Sequence, residues 1–250
     1  MRDKIAIIIT TFERPILLNR AIDSILNNWN ENFIILVGNQ SKRPSTILVD
    51  IPFKLLNFSL PFNCGLSYAR NFLVEQAYKL DCDYCIISAD SICFDESMRD
   101  LTKAITFLGT NPQIGRMGFL LKGRINWEGW LRLIPNECFE LELIDTTMEG
   151  IYLCNCIKNF FIARTDTLLD IKWDENLRMA EHEDFQLRYA EKWGTTFTNS
   201  YSGNYIGVKE GEFAQYRQEN WNEGMKYLLD KYSIKQWIRY TNPELFNRSV

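Results

Sequence analysis

Lys4-Ile5-Ala6-Ile7-Ile8-Ile9-Thr10, running into Thr11-Phe12-Glu13-Arg14-Pro15, decides the fold. An almost unbroken β-branched run predicts a strand buried on both faces, which places it inside a parallel sheet. Pro15 then opens a helix at its favoured first position, with Leu18, Ile22, Ile25 and Trp29 as its apolar stripe. Working outward, Phe33–Val37 reads as a second buried strand, ended by the polar turn Gly38-Asn39-Gln40-Ser41. A third short strand is expected at Leu55–Phe58, a helix over Leu66–Leu80, and a strand at Tyr84–Ile87 that stops at Ser88-Ala89-Asp90-Ser91. This β-α-β-β-α-β order argues for a mostly parallel sheet flanked by helices. Ligands of such sheets bind at the carboxyl ends of the strands, here Thr10–Arg14, Gly38–Ser41 and Ser88–Ser91.

The second half is less regular. Strands are expected at Met117–Leu121, Phe139–Ile144, Phe160–Ala163 and Asn204–Val208. Helices are expected over Glu96–Leu108, over Glu181–Trp193 with Gly194 closing it, and over Glu212–Tyr232. No repeat or Pro/Gly/Ser-rich linker divides the 250 residues.

The net charge of −4 provides no broad basic field, which argues against nucleic acid as a partner. Seven cysteines stand beside a single histidine, so zinc lacks its usual ligand set; they read as reduced, structural thiols of a reducing, cytoplasmic compartment. Charged Met1-Arg2-Asp3-Lys4 followed by a short strand does not read as a signal peptide. No apolar run approaches the roughly 20 residues of a membrane span; peripheral membrane association stays open.

Three segments carry candidate chemistry. Asp90, at a strand end among small residues, suits a metal held by diphosphate oxygens, and equally suits a helix cap or solvent. Glu181-His182-Glu183-Asp184 opens a helix; its acids favour the helix dipole or supply a general base, and the spacing does not choose. Asn63–Asn71 is a loop-to-helix junction whose N–H groups and Arg70 suit an anion or a base. Trp127, Trp130 and Trp221 suit stacking on a sugar, with packing as the commoner fate of tryptophan. Phe213, Tyr216, Trp221, Met225 and Leu228 read as one packed helix stripe.

Taken in order, these pieces resemble the inverting GT-A glycosyltransferases of the large family 2. Thr10-Thr11-Phe12-Glu13-Arg14-Pro15 resembles that family's first strand-loop. Asn39-Gln40-Ser41 falls at its Asp-Asp-Gly-Ser position, Asn63–Asn71 at its Asn-x-Gly-x-x-x-Ala-Arg-Asn signature and Ser88-Ala89-Asp90 at its DxD. Glu183-Asp184 is similar to the acidic pair holding the catalytic base. Asn159–Asp166, Trp173-Asp174 and His182–Phe185 resemble the animal β-1,4-N-acetylgalactosaminyltransferases more closely, as does Pro61–Ser67.

The resemblance implies a single Rossmann-like GT-A domain: a nucleotide-binding half (1–95), an acceptor-side catalytic lobe (96–210) and a C-terminal helical segment (211–250). It implies sugar transfer with inversion from a nucleoside-diphosphate donor, in most such enzymes a UDP-sugar, to a glycan hydroxyl. Thr10, Glu13, Arg14, Asn39, Arg70 and Ser88 would surround the nucleotide, and Asp90 would hold Mn²⁺ or Mg²⁺ on the diphosphate, with His182 completing the metal shell or orienting the acceptor. Asp184 would deprotonate the acceptor with Glu183 beside it, and Trp127 and Trp130 would line the acceptor side. Two departures matter. DxD is reduced to one carboxylate, which leaves open metal-independent transfer or a non-catalytic module that binds a sugar nucleotide or glycan. Asn39 stands where the family has an acid. A sugar-nucleotide pyrophosphorylase needs a glycine-rich loop after the first strand, and Thr10–Pro15 has no glycine.

Overall fold

The structure is a computed structural model that describes residues 4–28, 33–42, 55–125, 127–207 and 211–242. β1 (Ile5–Thr11), β2 (Phe33–Asn39), β3 (Leu55–Ser59) and β4 (Tyr84–Ala89) lie parallel, linked through α1 (Pro15–Asn27) and α2 (Leu66–Lys79). Each residue of β1 is buried. Ile5, Ile7 and Ile9 face one core layer with Leu18, Ile22 and Ile25 of α1. Ala6 and Ile8 face the other, with Leu73, Val74 and Ala77 of α2. Side chains alternate across a strand, so two covered faces require apolar residues at both parities. Trp29, placed on the α1 stripe by its spacing, lies outside the described residues.

Next along the chain come β5 (Ile92–Phe94), a 3₁₀ turn (Glu96–Arg99), α3 (Thr102–Thr110), β6 (Ile114–Lys122), β7 (Gly129–Ile134), β8 (Cys138–Leu143) and β9 (Ile151–Cys154). They are followed by β10 (Phe161–Arg164), α4 (Thr165–Ile171), α5 (His182–Ala190), β11 (Gly194–Tyr205), α6 (Gly211–Tyr232) and β12 (Ile238–Tyr240). The large sheet has the order β3-β2-β1-β4-β10-β6-β11-β5, with β9 on β11. β1 to β4, β6 and β11 share one direction, while β5, β9 and β10 oppose it. A smaller sheet, β12-β8-β7, packs a third core of Leu131, Phe139, Leu141 and Leu143 against Leu228 of α6 and Ile234. The architecture is thus the expected α/β one.

Several boundaries differ from the sequence reading. The helix expected over 96–108 is broken because the extended Asp100 accepts the Thr102 N–H at 2.9 Å, a local turn that competes with helix. The helix expected over 181–193 ends at Ala190, and Gly194 opens β11 instead of capping it. A Cβ on Gly194 would lie 2.6 Å from Ile114 Cδ1, so the glycine serves strand packing. The strand expected at 204–208 is the end of twelve-residue β11; Val208 lies outside the described residues.

Candidate active site

The carboxyl ends of β1, β2 and β4 meet in one polar cleft. Asp90, fully buried just beyond β4, accepts a 2.8 Å hydrogen bond from Thr11 Oγ1 and one of 3.1 Å from Arg14 Nε. The Arg14 terminal nitrogen closes the ion pair on its other oxygen. Burial pushes the Asp90 carboxyl up to about 6, against the opposing pull of Arg14 and Thr11. Glu13 sits in the left-handed region (φ 54) and latches two loops: its N–H donates to Ser41 Oγ at 2.7 Å and its Oε1 accepts from the Lys42 N–H at 2.7 Å. Thr10 is buried in β1 opposite Gly38. Asn39 Oδ1 accepts from the Ser41 N–H at 3.0 Å, whereas Asn39 Nδ2 and Ser88 Oγ are buried without partners. Two unsatisfied polar atoms at the ends of β2 and β4, on either side of β1, are what a ligand would complete.

A lid of rings lies over this cleft. Phe213 and Tyr216 of α6 pack on Phe12 at 6.3 and 5.6 Å between centroids, and Phe62 joins them. The Arg14 guanidinium stacks 3.9 Å from the Phe213 centroid.

Arg70, expected at the nucleotide, is taken up by a buried ion pair. It is 3% exposed, paired with buried Glu181 and set 5.5 Å over Trp173. The Asn63–Asn71 signature is likewise consumed by packing. Gly65 N–H donates to Gln40 Oε1 at 2.8 Å, Leu66 N–H to the Arg178 carbonyl at 2.9 Å, and Asn71 bridges to Trp173. Gly65 (φ 91) is required there, since a Cβ would fall 2.5 Å from Arg178 Cα. The Gly65 and Leu66 N–H groups, open to an anion in the sequence reading, already have partners.

The four residues 181–184 part company, with the left-handed Ala180 (φ 60) setting their direction. Asp184 is held by Arg188 of its own helix (2.9 Å from Nε) and, from α6, by Lys231 and the Tyr232 hydroxyl (2.9 Å). His182 is half-buried against Trp127 (6.0 Å between rings), with Nε2 3.9 Å from Cys156 Sγ. Burial lowers its pKa to about 4, so the imidazole is neutral at pH 7. Glu183 is 1% exposed and neither carboxylate oxygen has a hydrogen-bond partner. Burial raises its pKa to about 8, aided by the charges of Glu181 and Asp184.

Around His182 and Glu183 stands an aromatic recess. Trp127 lies 5.8 Å from Trp237 and 5.9 Å from Tyr240, and Trp237 lies 5.2 Å from Trp221. The Trp127 indole nitrogen is buried without a partner, and that of Trp237 is directed at the Glu183 carboxyl. Trp130 is 41% exposed on β7, where the strand alternation turns it outward, so the structure separates it from Trp127. Trp237 and Tyr240 belong to no motif in the sequence; Trp237 lies just before β12 and Tyr240 at its end.

Glu183 makes stability depend on pH. Its pKa is about 8 folded against an ordinary 4.5, so folding takes up a proton between these values and stability falls as pH rises through them. Glu183→Gln is expected to melt higher than the parent at pH 8 and to lose the advantage at pH 5. Melting curves shifted equally at both pH values would refute the assignment.

A divalent cation fits this site poorly. Among the described residues no three His, Cys, Asp or Glu side chains gather where they would hold a metal. Both oxygens of Asp90 are already engaged, and His182 lies against Trp127 and Cys156, with no bond to Asp90. No described helix is long and apolar enough to cross a membrane. All seven cysteines are free thiols.

No family model matches this chain, and no curated protein matches it by sequence. Solved structures do. One is that of S. aureus TarS 1–349 in complex with UDP, at TM-score 0.58 and 14% identity, covering 91% of this chain and 72% of that one. Another is the mannosyltransferase PcManGT from Pyrobaculum calidifontis in complex with GDP-Man and Mn²⁺, at TM-score 0.62 and 12% identity, covering 92% and 65%. A third is GalNAc-T7 with UDP, GalNAc and Mn²⁺, at TM-score 0.62 and 10% identity; this chain spans about half its length, 49%. The chain has the GT-A fold.

Proposed function

We propose that this protein is an inverting glycosyltransferase that takes a sugar from a nucleoside-diphosphate donor, a UDP-sugar in the first instance, and passes it to a glycan hydroxyl. One observation carries the reading: a cleft at the carboxyl ends of the parallel strands, with buried unsatisfied Asn39 and Ser88, lies in the same fold as an aromatic recess holding a neutral imidazole and a protonated carboxyl. Bound nucleotides in structures of the same fold support it.

In this reading the nucleotide lies against Thr10, Glu13 and Asn39, with Asn39 Nδ2 donating to a base carbonyl. The acceptor sugar stacks in the recess of Trp127, Trp237 and Tyr240, where a ring's apolar face replaces water. His182 takes the acceptor proton as its oxygen attacks the anomeric carbon, and the bond to the diphosphate breaks on the opposite side. The resemblance gives the base to Asp184. We assign it to His182, because Asp184 is held by Arg188, Lys231 and Tyr232 while His182 is unprotonated and open. Glu183, protonated, donates a hydrogen bond to an acceptor oxygen.

Calorimetry with UDP-, GDP- and dTDP-sugars tests the reading. One nucleotide class is expected to bind, and its sugar to be transferred to a glycan acceptor. No binding of any of them would overturn the proposal. Binding with no transfer to any acceptor would favour a sugar-nucleotide-binding module, the alternative raised by the single carboxylate at Asp90.

A further inference from the structure

The cleft is built for an anion by cations of this chain. Arg14 is oriented by Asp90 through two nitrogens, which leaves its third nitrogen for a ligand. Phe213, on which Arg14 stacks, stands one helical turn before Arg217 on α6, so that helix brings a second guanidinium to the same mouth. Arg217 is half-buried and has no carboxylate partner among the described residues. A third guanidinium, Arg124, stacks 4.6 Å from the centroid of Tyr205. Tyr205 pairs with Ile92, and the following Ile206 N–H donates to the Ser91 carbonyl at 2.9 Å, so Arg124 is carried to the segment that begins at Asp90. Burial lowers the pKa of Arg217, and the like charges of Arg124 and Arg14 lower it further, against the opposing effects of Tyr205 and Glu181. Three guanidinium groups share this mouth, and the carboxylates near it among the described residues are already taken, Asp90 by Arg14 and Glu181 by Arg70. Like charges held together, with Arg14 and Arg217 partly buried and Arg124 exposed at the rim, are stabilised when an anion sits between them.

We propose that the donor diphosphate is bound and its departing charge neutralised by Arg14, Arg124 and Arg217, with no divalent cation required. Asp90, the remnant of a metal-ligand motif in the sequence, is here the group that positions Arg14. Cleavage of the sugar–oxygen bond leaves the electron pair on the diphosphate, where charge-assisted hydrogen bonds from guanidinium groups hold it. The inference deepens the donor reading above and rests on it.

The test is calorimetric binding of UDP and of inorganic pyrophosphate, each with chelator and with Mn²⁺, to the parent, Arg217→Gln and Asp90→Asn. Circular dichroism would first check that each variant is folded. We expect chelator to change affinity by no more than about 2-fold. Arg217→Gln should weaken both ligands about 10-fold or more, as loss of a charge-assisted contact does. Asp90→Asn separates the two kinds of site: it should weaken both ligands by no more than about 10-fold, in chelator and in Mn²⁺ alike, because it loosens Arg14 and leaves Arg124 and Arg217 in place, whereas it abolishes binding at a metal-dependent site. UDP binding that requires Mn²⁺, or that is lost in Asp90→Asn, would overturn the arginine cluster and leave the donor reading standing. Pyrophosphate binding in chelator with no nucleotide bound would support the cluster and overturn the donor reading. Binding of neither ligand under either condition would overturn both.

Discussion

Arg70→Met is expected to lower stability by about 3–5 kcal/mol, the cost of stranding a buried charge. The Arg70 and Glu181 side chains are 3% and 4% exposed, and Asn159 Nδ2 donates to the same Glu181 oxygen at 3.1 Å. Burial pushes the Glu181 carboxyl up, yet the charge and hydrogen bond of Arg70 more than offset it and hold the group below its ordinary value. Methionine would fill the stem's volume and leave the buried Glu181 carboxylate without a cation. The carboxylate must then take a proton or draw water into the core. Arg70→Met/Glu181→Gln should recover most of the loss, since no charge remains to be stranded. Urea unfolding of the three proteins measures this, and a single variant within about 1 kcal/mol of the parent, the scale of an exposed pair, would refute it. The pair joins α2 to the residue before α5, so the damage should extend to the orientation of His182.

His182→Ala is expected to lower the rate of transfer by about 10²–10⁴-fold, the range for removal of a general base, with donor binding retained. The pH profile separates this role from a structural one. His182 titrates at about 4, because burial and the charges of Arg116, Arg70 and Lys158 outweigh Glu181. As the proposed base it would be active above that value. Glu183 titrates at about 8 and donates only below it. Transfer should be flat through neutrality, falling on an acid limb near 4 and on an alkaline limb near 8. Glu183→Gln should remove the alkaline limb. Asp184→Asn should act chiefly on stability, by weakening the hold of Lys231, Tyr232 and Arg188 on one carboxylate. Full transfer by His182→Ala, or loss of transfer by a fully folded Asp184→Asn, would return the base to Asp184.

Much of the scaffold was legible in the chain. The runs at 5–9, 33–37 and 84–87 lie in buried parallel strands, and the polar turns after them lie at the cleft. Breaks inside helical patterns were harder. The 3₁₀ turn at Glu96–Arg99 and the start of α3 hinge on one Asp100 hydrogen bond, which periodicity does not weigh. The site was legible as a set of residue types, not as a set of partners. Asp90 and Arg14 were both singled out, but nothing in the spacing said that they neutralise each other across 76 positions. Asp184 reads as a free acid in a helix's first turn until Lys231 and Tyr232 arrive from 47 and 48 residues away.

By itself the sequence determined which segments are buried on two faces, which strand ends are polar and where glycine or proline must punctuate the chain, because hydrophobic periodicity and backbone sterics act over a few residues. Only the tertiary structure decided which carboxylates are taken up by cations, that the one imidazole is held neutral, and that Arg70 is buried on Glu181. Those properties depend on burial and on partners brought together through the fold, and a charge's partner cannot be read from its neighbours in the chain.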